Sequence, residues 1–598
     1  MEECLPKITS PDDLRALPQE VLSQLAREIR ETLIATIAKN GGHMASNLGV
    51  VELTIALHRC FRSPHDALVW DVSHQCYTHK LLTGRAGRFD TLRQSRGLSG
   101  FTCVDESEHD HFTTGHSSTS VSAALGIAEA KRLQGDDEHY AVAILGDGAL
   151  TGGLVYEALN NAGRSAAKLI VVLNDNEMSI SRNVGGLSRY LAKVRSQPEY
   201  RKSKQRIERG LRRVPGAGDA LASGIAGVKK LVKRVLTDTT IFEQLGLDYI
   251  GPVDGHDIEG LCAALESAKL SPRPALVHVH TTKGKGYTCA EEAPEEYHGV
   301  SCSIEAGKSY TDIFAQALCA LAQEDTSVCA VTAAMAIGTG LSRFAVSYPS
   351  RFFDVGIAEG HALTFAAGLA KQGLRPVVAL YSTFLQRGFD QLLHDIALQG
   401  LPVTIAVDRA GFVGSDGATH HGLYDVAMCS AILGVAVYAP VTADELRGCL
   451  RTSQGLTLIR YARDAVREID IPVMHETQSY AIAGDPAFDT AIVTYGRLFF
   501  EACKLPGVKI LRLKRVLPID KAAAEALLAC KYVCFFEEGI RSGGAGEAFG
   551  AMLLERGFAG AYSIHAVEGF ARHAPVHELL AEHGLDAAAM RRVMETKL

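Results

Sequence analysis

The most restrictive feature of the sequence is a strand, glycine turn, helix, strand succession between residues 141 and 173. Ala141–Leu145 and Leu169–Leu173 are short apolar runs that each end in turn residues, and between them Gly153–Gly163 repeats Leu154, Ala158, Leu159 and Ala162 at helical spacing. A helix crossing between two such strands makes them parallel, and a parallel sheet is covered by helices on both faces. The fold class is therefore α/β. The theme recurs in Phe353–Ile357, Val377–Leu380, Val403–Val407 and Leu456–Arg460, and again in Ala491–Tyr495, Val508–Leu513 and Tyr532–Phe536. A chain of 598 residues exceeds what one hydrophobic core organises. The expected organisation is three consecutive α/β domains with mostly parallel sheets: residues 1–305, 306–475 and 476–598.

Composition removes several function classes. With 47% hydrophobic and 22% charged residues the chain is neither disordered, collagen-like nor a small disulfide-stapled scaffold. A net charge of −7 argues against nucleic acid as the partner of the whole chain. One segment stands apart: Gly186–Leu236 holds 14 Lys/Arg against 3 Asp/Glu. We read 186–236 as a mobile, solvated basic excursion rather than a nucleic-acid arm. The 14 Cys contain no C-x-x-C pair, and Cys329 and Cys534 lie in apolar runs, so buried free thiols in a reducing cytoplasm are expected. Met1–Pro18 shows no signal-peptide run, and no stretch of 18 apolar residues indicates a membrane span.

Chemistry concentrates at strand ends. Gly146-Asp147-Gly148 closes one buried strand and Asn174-Asp175-Asn176 closes the next. Open α/β sheets bind ligands in the crevice outside such carboxyl ends. An Asp and an Asn oxygen from neighbouring strands suit Mg²⁺, which prefers oxygen ligands and keeps phosphates in its shell, and flanking glycines let backbone approach a diphosphate. Asp147 and Asn176 are the expected metal ligands, with the Met178 carbonyl as a third.

Further motifs are Gly42-His43-Met44-Ala45-Ser46-Asn47-Leu48-Gly49, Trp70-Asp71-Val72-Ser73-His74-Gln75, Gly115-His116-Ser117-Ser118, Gly356-Ile357-Ala358-Glu359-Gly360-His361, Tyr381-Ser382-Thr383-Phe384-Leu385-Gln386-Arg387, Asp408-Arg409-Ala410-Gly411 and Asp416-Gly417-Ala418-Thr419-His420-His421-Gly422. In this order, from about residue 40 to 550, they resemble the 1-deoxy-D-xylulose-5-phosphate synthase family, relatives of transketolase. The resemblance implies a transketolase-like fold binding thiamine diphosphate and Mg²⁺. It also implies a transferase that condenses pyruvate with D-glyceraldehyde 3-phosphate, releases CO₂ and yields 1-deoxy-D-xylulose 5-phosphate, the first step of the non-mevalonate isoprenoid pathway and a supply for thiamine and pyridoxal synthesis. The arrangement it implies is a homodimer.

Residue by residue, the resemblance makes Glu359 the carboxyl that shares a proton with the aminopyrimidine ring, and it adds His43, His74, His420 and His298 around the reacting centre. Gly115, His116, Ser117, Gly148 and Ala149 would line the diphosphate, with His74, Asn176, Tyr287 and Phe384 as further cofactor contacts. Tyr381, Arg387 and Asp416 would meet the acceptor's aldehyde and hydroxyl end, and Arg409 and Arg463 its phosphate, for which a guanidinium fork is well suited. Glu537-Glu538-Gly539 through Gly543-Gly544-Ala545-Gly546 is a strand end, turn and helix start of the kind that binds anions, to which the resemblance assigns a structural part.

Three departures stand out. Gly360 replaces the family's Gln, Arg460-Tyr461-Ala462-Arg463-Asp464 replaces Arg-Tyr-Pro-Arg-Gly, and an Ile-Pro-Asp element before Phe570 is missing. The first two bear on acceptor affinity, because a side chain beside the cofactor is lost and Asp464 adds negative charge next to Arg463. The residues leave open a sister carboligase, a transketolase acting on ketose phosphates, or a silent binding subunit of the same fold.

Overall fold

The computed structural model describes residues 3–178, 186–196, 240–300, 307–485 and 487–596. Of the basic excursion 186–236, only the helix Gly186–Ser196 lies among them. The chain divides into two compact units, residues 1–90 with 101–300, and residues 91–100 with 301–598.

The first unit is built on β1 (Ala67–Trp70), β2 (Ala141–Gly146), β3 (Leu169–Asp175), β4 (Asp248–Asp254) and β5 (Ala275–His280). All pairings are parallel, in the order β1-β2-β3-β5-β4. The register of β2 on β3 runs from Ala141↔Leu169 to Gly146↔Asn174, which brings Asp147 and the Asn174–Asn176 stretch to the same end of the sheet. The intervening helix is Gly153–Ala162, and its buried face is Val155, Ala158, Leu159 and Ala162, with Leu154 half-buried. Val155 thus replaces Leu154 in the expected stripe, because positions 155, 158, 159 and 162 complete a 3.6-residue repeat.

The second unit holds two sheets. Its strands are β6 (Val328–Thr332), β7 (Phe352–Asp354), β8 (Arg375–Tyr381), β9 (Thr404–Asp408), β10 (Ala436–Tyr438), β11 (Thr457–Arg460), β12 (Val473–Glu476), β13 (Tyr480–Gly484), β14 (Thr490–Thr494), β15 (Lys509–Leu513), β16 (Arg515–Leu517), β17 (Tyr532–Ile540) and β18 (Ala561–Val567). One sheet runs β16-β10-β11-β9-β8-β6-β7 and the other β12-β13-β15-β14-β17-β18. Both are parallel apart from β16 on β10, β12 on β13 and β13 on β15. A single apolar cluster with Val331, Leu363, Val378, Val493 and Phe535 joins the two sheets.

The expected strand Phe353–Ile357 ends early, at Asp354, because the Asp354 carboxylate accepts the backbone N–H groups of Ala334 (2.8 Å) and Gly356 (3.0 Å) and bends the chain into the turn before the helix Glu359–Lys371. Cys329 and Cys534 are buried and form no disulfide. Among the described residues no helix is long and apolar enough to cross a membrane.

Candidate active site

In the first unit, Asp147 is 2% exposed at the end of β2. Its Oδ1 accepts the Gly148 N–H at 3.1 Å, while its Oδ2 is buried without a hydrogen-bond partner. Burial, reinforced by the neighbouring Asp175 carboxylate, pushes the Asp147 carboxyl well above the usual range. A buried carboxyl with an orphaned oxygen is a costly arrangement for the fold alone, and one that a divalent cation would relieve. Next to it Asn176 is half-buried, with its Oδ1 accepting the Met178 N–H at 3.2 Å. Among the described residues no three His, Cys, Asp or Glu side chains converge as a self-sufficient metal centre. The donor set fits Mg²⁺, which completes its shell with phosphate oxygens and waters.

The elements around this pair are tightly ordered. Buried Asp71 accepts the N–H groups of Ser118 (2.7 Å) and Ser120 (3.0 Å) and the Ser117 hydroxyl (3.3 Å), and Ser118 Oγ donates to the Ala149 carbonyl at 2.8 Å. The Gly115–Ser118 and Gly148–Ala149 loops are therefore held against each other. Lys283, in Lys283-Gly284-Lys285-Gly286-Tyr287, is buried, and burial pushes its ammonium down to about 8 against the pull of Asp147 and Glu295. Asp175 Oδ2 lies 2.9 Å from His278 Nε2, and His278 Nδ1 lies 2.7 Å from the Tyr249 hydroxyl.

Three of the expected histidines come together. The ring centroids of His43, His74 and His298 are mutually 5.3–5.5 Å apart. Burial, then the charge of Lys283 and the two other imidazoles, holds His298 well below its ordinary range, so it is neutral. The cluster is organised by its neighbours in sequence. Asn47 is fully buried, and its Nδ2 donates to the carbonyls of His43 (2.6 Å) and His74 (2.7 Å) while its Oδ1 accepts the Tyr77 N–H (2.9 Å). Ser46 Oγ lies 3.4 Å from His298 Nδ1. Replacing Asn47 with leucine keeps the branched shape but removes its bonds to three buried or half-buried backbone groups, each worth about 1–3 kcal/mol. We expect a lowered Tm together with loss of turnover; unchanged melting and kinetics would remove Asn47 from this role. Tyr287 is half-buried and packs edge-on against Tyr297.

In the second unit, Glu359 is 4% exposed at the first position of its helix. A helix N-terminus favours a carboxylate, but here burial dominates and raises the carboxyl above its ordinary value, opposed by Arg387, whose Nε lies 3.5 Å from Oε2. Proton release from this carboxyl is thereby shifted toward higher pH, the direction that suits proton exchange.

The residues expected at the acceptor end form a second group. The Arg409 guanidinium sits 3.7 Å over the Tyr381 ring and donates to the Gly338 carbonyl at 2.8 Å. Tyr381 stacks on Phe384, and Phe384 meets the His420 ring edge-on at 5.6 Å. Asp416 pairs with Arg93 at 2.8 Å, and Thr419 Oγ1 lies 2.9 Å from His420 Nδ1. Arg463 is exposed, and its charge still bears on the Tyr381 hydroxyl. A Cβ at Gly338 would lie 1.7 Å from the Tyr381 hydroxyl oxygen. Gly338→Ala must therefore displace Tyr381, and we expect the KM of the aldehyde acceptor to rise about tenfold or more in steady-state assays. An unchanged KM would separate Tyr381 from the acceptor.

The helix start after Gly543-Gly544 offers no vacant anion site. The Glu537 carboxylate already accepts the N–H groups of Ala545 and Gly546, each at 3.0 Å, and the Tyr495 hydroxyl at 3.0 Å.

Residues 5–281 match the model of the 1-deoxy-D-xylulose-5-phosphate synthase family, and residues 306–468 match the transketolase pyrimidine binding domain. The chain is 46% identical over 611 residues to the 1-deoxy-D-xylulose-5-phosphate synthase of Symbiobacterium thermophilum, covering 98% of this chain and 92% of the relative. It is 47% identical over 608 residues to the enzyme of that name from Syntrophomonas wolfei, covering 97% and 94%. For the one from Caldanaerobacter subterraneus the figures are 44% over 611 residues, covering 98% of each. The chain belongs to the 1-deoxy-D-xylulose-5-phosphate synthase family.

Two departures from the synthase pattern now have a structural reading. Asp464 is turned to Arg467, 3.1 Å from its Nη2, rather than to Arg463. The space beside Gly360 is taken by Gln391, whose Oε1 lies 3.2 Å from where a Cβ would stand. Four residues beside the expected site residues carry no role in the sequence reading: Asn47 and Lys283 in the first unit, Arg93 and Gly338 in the second. Asn47 stands within Gly42–Gly49 and Lys283 opens the Lys283-Gly284-Lys285-Gly286-Tyr287 stretch, so a glycine-spaced lysine pair was the available signal. Arg93 and Gly338 carry no local mark.

Proposed function

We propose that this protein joins pyruvate to D-glyceraldehyde 3-phosphate, releasing CO₂ and forming 1-deoxy-D-xylulose 5-phosphate, with thiamine diphosphate and Mg²⁺ as cofactors. Relatedness to the synthase family over nearly the whole chain carries the reading. The orphaned Asp147 oxygen supports the cation, and the buried Glu359, whose carboxyl burial raises above its ordinary value, supports the activation step.

In this reading Asp147, Asn176 and the Met178 carbonyl hold the cation, and the Gly115–Ser117 and Gly148–Ala149 backbone holds the diphosphate. Thiamine diphosphate, when bound, supplies a thiazolium carbon that adds to a keto group and accepts the electrons left by departing CO₂. Glu359 would share a proton with a ring nitrogen of the aminopyrimidine, and Phe384 would offer that ring a packing face. His43, His74 and His420 would hold the pyruvate carboxylate or move protons at the reacting carbon, with His298 beside His43 and His74. Tyr381, Arg387 and Asp416 orient the aldehyde and hydroxyls of the acceptor, and Arg409 with Arg463 neutralises its phosphate. The proposal extends to three domains (1–305, 306–475, 476–598), a homodimer and a cytoplasmic location.

Purified protein supplied with pyruvate, D-glyceraldehyde 3-phosphate, thiamine diphosphate and Mg²⁺ should release CO₂ and form the pentulose phosphate in equal amounts. Turnover only with a ketose phosphate donor would assign it to transketolase chemistry instead. Cofactor binding without turnover on either pair would make it a silent binding subunit.

A further inference from the structure

The loop 411–422, which carries Asp416 and His420, is closed at its base by reciprocal bonds between Gly411 and Gly422, at 2.7 and 2.8 Å. What fixes that base comes from the sheet containing β14 and β17. Glu538, on β17, accepts the Phe412 N–H at 2.7 Å, and Arg497, just after β14, donates to the Phe412 carbonyl at 2.6 Å. The two side chains pair with each other at 2.8 Å, and both are largely buried. A single peptide segment is thus gripped at its donor and its acceptor by the two halves of one ion pair. Gly411 has a φ of +83°. A Cβ there would stand 2.5 Å from the Glu538 carboxyl carbon, so this close approach requires glycine. The Phe412 ring is fully buried in the cluster formed with Ile492, Leu498 and Phe536. A second fastening lies one residue on, where His421 Nδ1 accepts the Val413 N–H at 3.1 Å and its Nε2 donates to the Arg572 carbonyl at 3.0 Å.

We propose that Arg497 and Glu538 are positioning residues for the acceptor: from the carboxy-terminal sheet they set the backbone of Phe412 and hence the placement of Asp416 and His420. The inference rests on the reaction proposed above and gives the carboxy-terminal sheet a part in acceptor recognition. Capture of one peptide by a largely buried ion pair is stiff, because the Phe412 N–H and carbonyl and both Glu538 carboxylate oxygens are engaged at once. Displacements of about 1 Å in a substrate-orienting group are enough to cost roughly a hundredfold in rate.

The test compares wild-type protein with Arg497→Lys, Arg497→Ala and the double variant R497M/E538Q. The last avoids leaving one buried charge without its partner, which is strongly destabilising. We expect the KM for D-glyceraldehyde 3-phosphate to rise about tenfold or more in Arg497→Ala and the double variant. The affinity for thiamine diphosphate should stay within about twofold, any rise in the KM for pyruvate, felt through His420, should be smaller than that for the acceptor, and Arg497→Lys should recover part of the loss. Amide exchange at Phe412 and Val413 should accelerate in the same variants without substrates present. If Arg497→Ala does not fold, the double variant and Arg497→Lys carry the comparison. An unchanged acceptor KM, or a uniform loss in kcat with both KM values unmoved, overturns the inference. A wild-type protein that forms no product from the two substrates overturns the proposed reaction instead, so the two failures are separable.

Discussion

Replacing Glu359 with alanine is expected to lower turnover by about 10²–10⁴-fold, the usual worth of one positioned proton transfer, and to leave the fold intact. The second half follows from its environment. Glu359 starts the helix Glu359–Lys371 but is 4% exposed, and burial raises its carboxyl above the ordinary value. Such a group is retained against the interest of stability, so its removal should leave Tm unchanged or higher. Glu359→Gln sharpens the test, because it keeps the shape and a hydrogen bond but cannot exchange the proton. Turnover should fall in both variants while thiamine diphosphate affinity, measured by calorimetry, stays within a few-fold. Activity near wild type in Glu359→Gln would contradict the assigned role.

Asp147→Asn is expected to change two quantities in opposite directions. A carboxyl whose folded value lies above its unfolded one weakens the fold as pH rises from the unfolded value through the folded one, because the native state must then bury the charge. Asp147 is in this position, with burial and Asp175 both acting against its ionisation. At neutral pH the Asn variant of the cofactor-free protein should therefore melt higher, by a margin on the order of 1–3 kcal/mol. If Asp147 holds Mg²⁺ as proposed, the same change removes a charged ligand, so the affinity for thiamine diphosphate should fall steeply, with partial recovery in excess Mg²⁺. Thermal melting with and without cofactor reads both effects. An Asn variant that binds thiamine diphosphate as wild type does would place the cation elsewhere.

What the sequence made legible was local. The strand ends carrying Asp147 and Asn174–Asn176 could be paired on paper because one helix separates two apolar runs, and a crossover of that length leaves β2 and β3 as neighbours. Glu359, Tyr381 and Arg409 were legible through the motifs around them. Pairing between distant segments was not. β16 leaves the carboxy-terminal stretch to lie antiparallel on β10, and nothing within three residues, Arg515–Leu517, announces a partner so far away. β12 is exposed throughout, so it lacks the apolar alternation by which a strand is recognised. The supports of the site were hidden for the same reason. Asn47 reads as one more loop polar residue until the carbonyls of His43 and His74 are seen to converge on it. Arg497 carries no local mark, and Glu538 reads only as part of a structural strand end, until they close on Phe412.

The most direct test is a crystal structure of the protein with thiamine diphosphate and Mg²⁺. The account predicts the cation about 2.0–2.1 Å from an Asp147 carboxylate oxygen and the Asn176 side-chain oxygen. It also predicts the Glu359 carboxyl within about 2.6–3.2 Å of a nitrogen of the aminopyrimidine ring in that same site. A cofactor bound with its ring out of reach of Glu359, or a cation held by other residues, would contradict it.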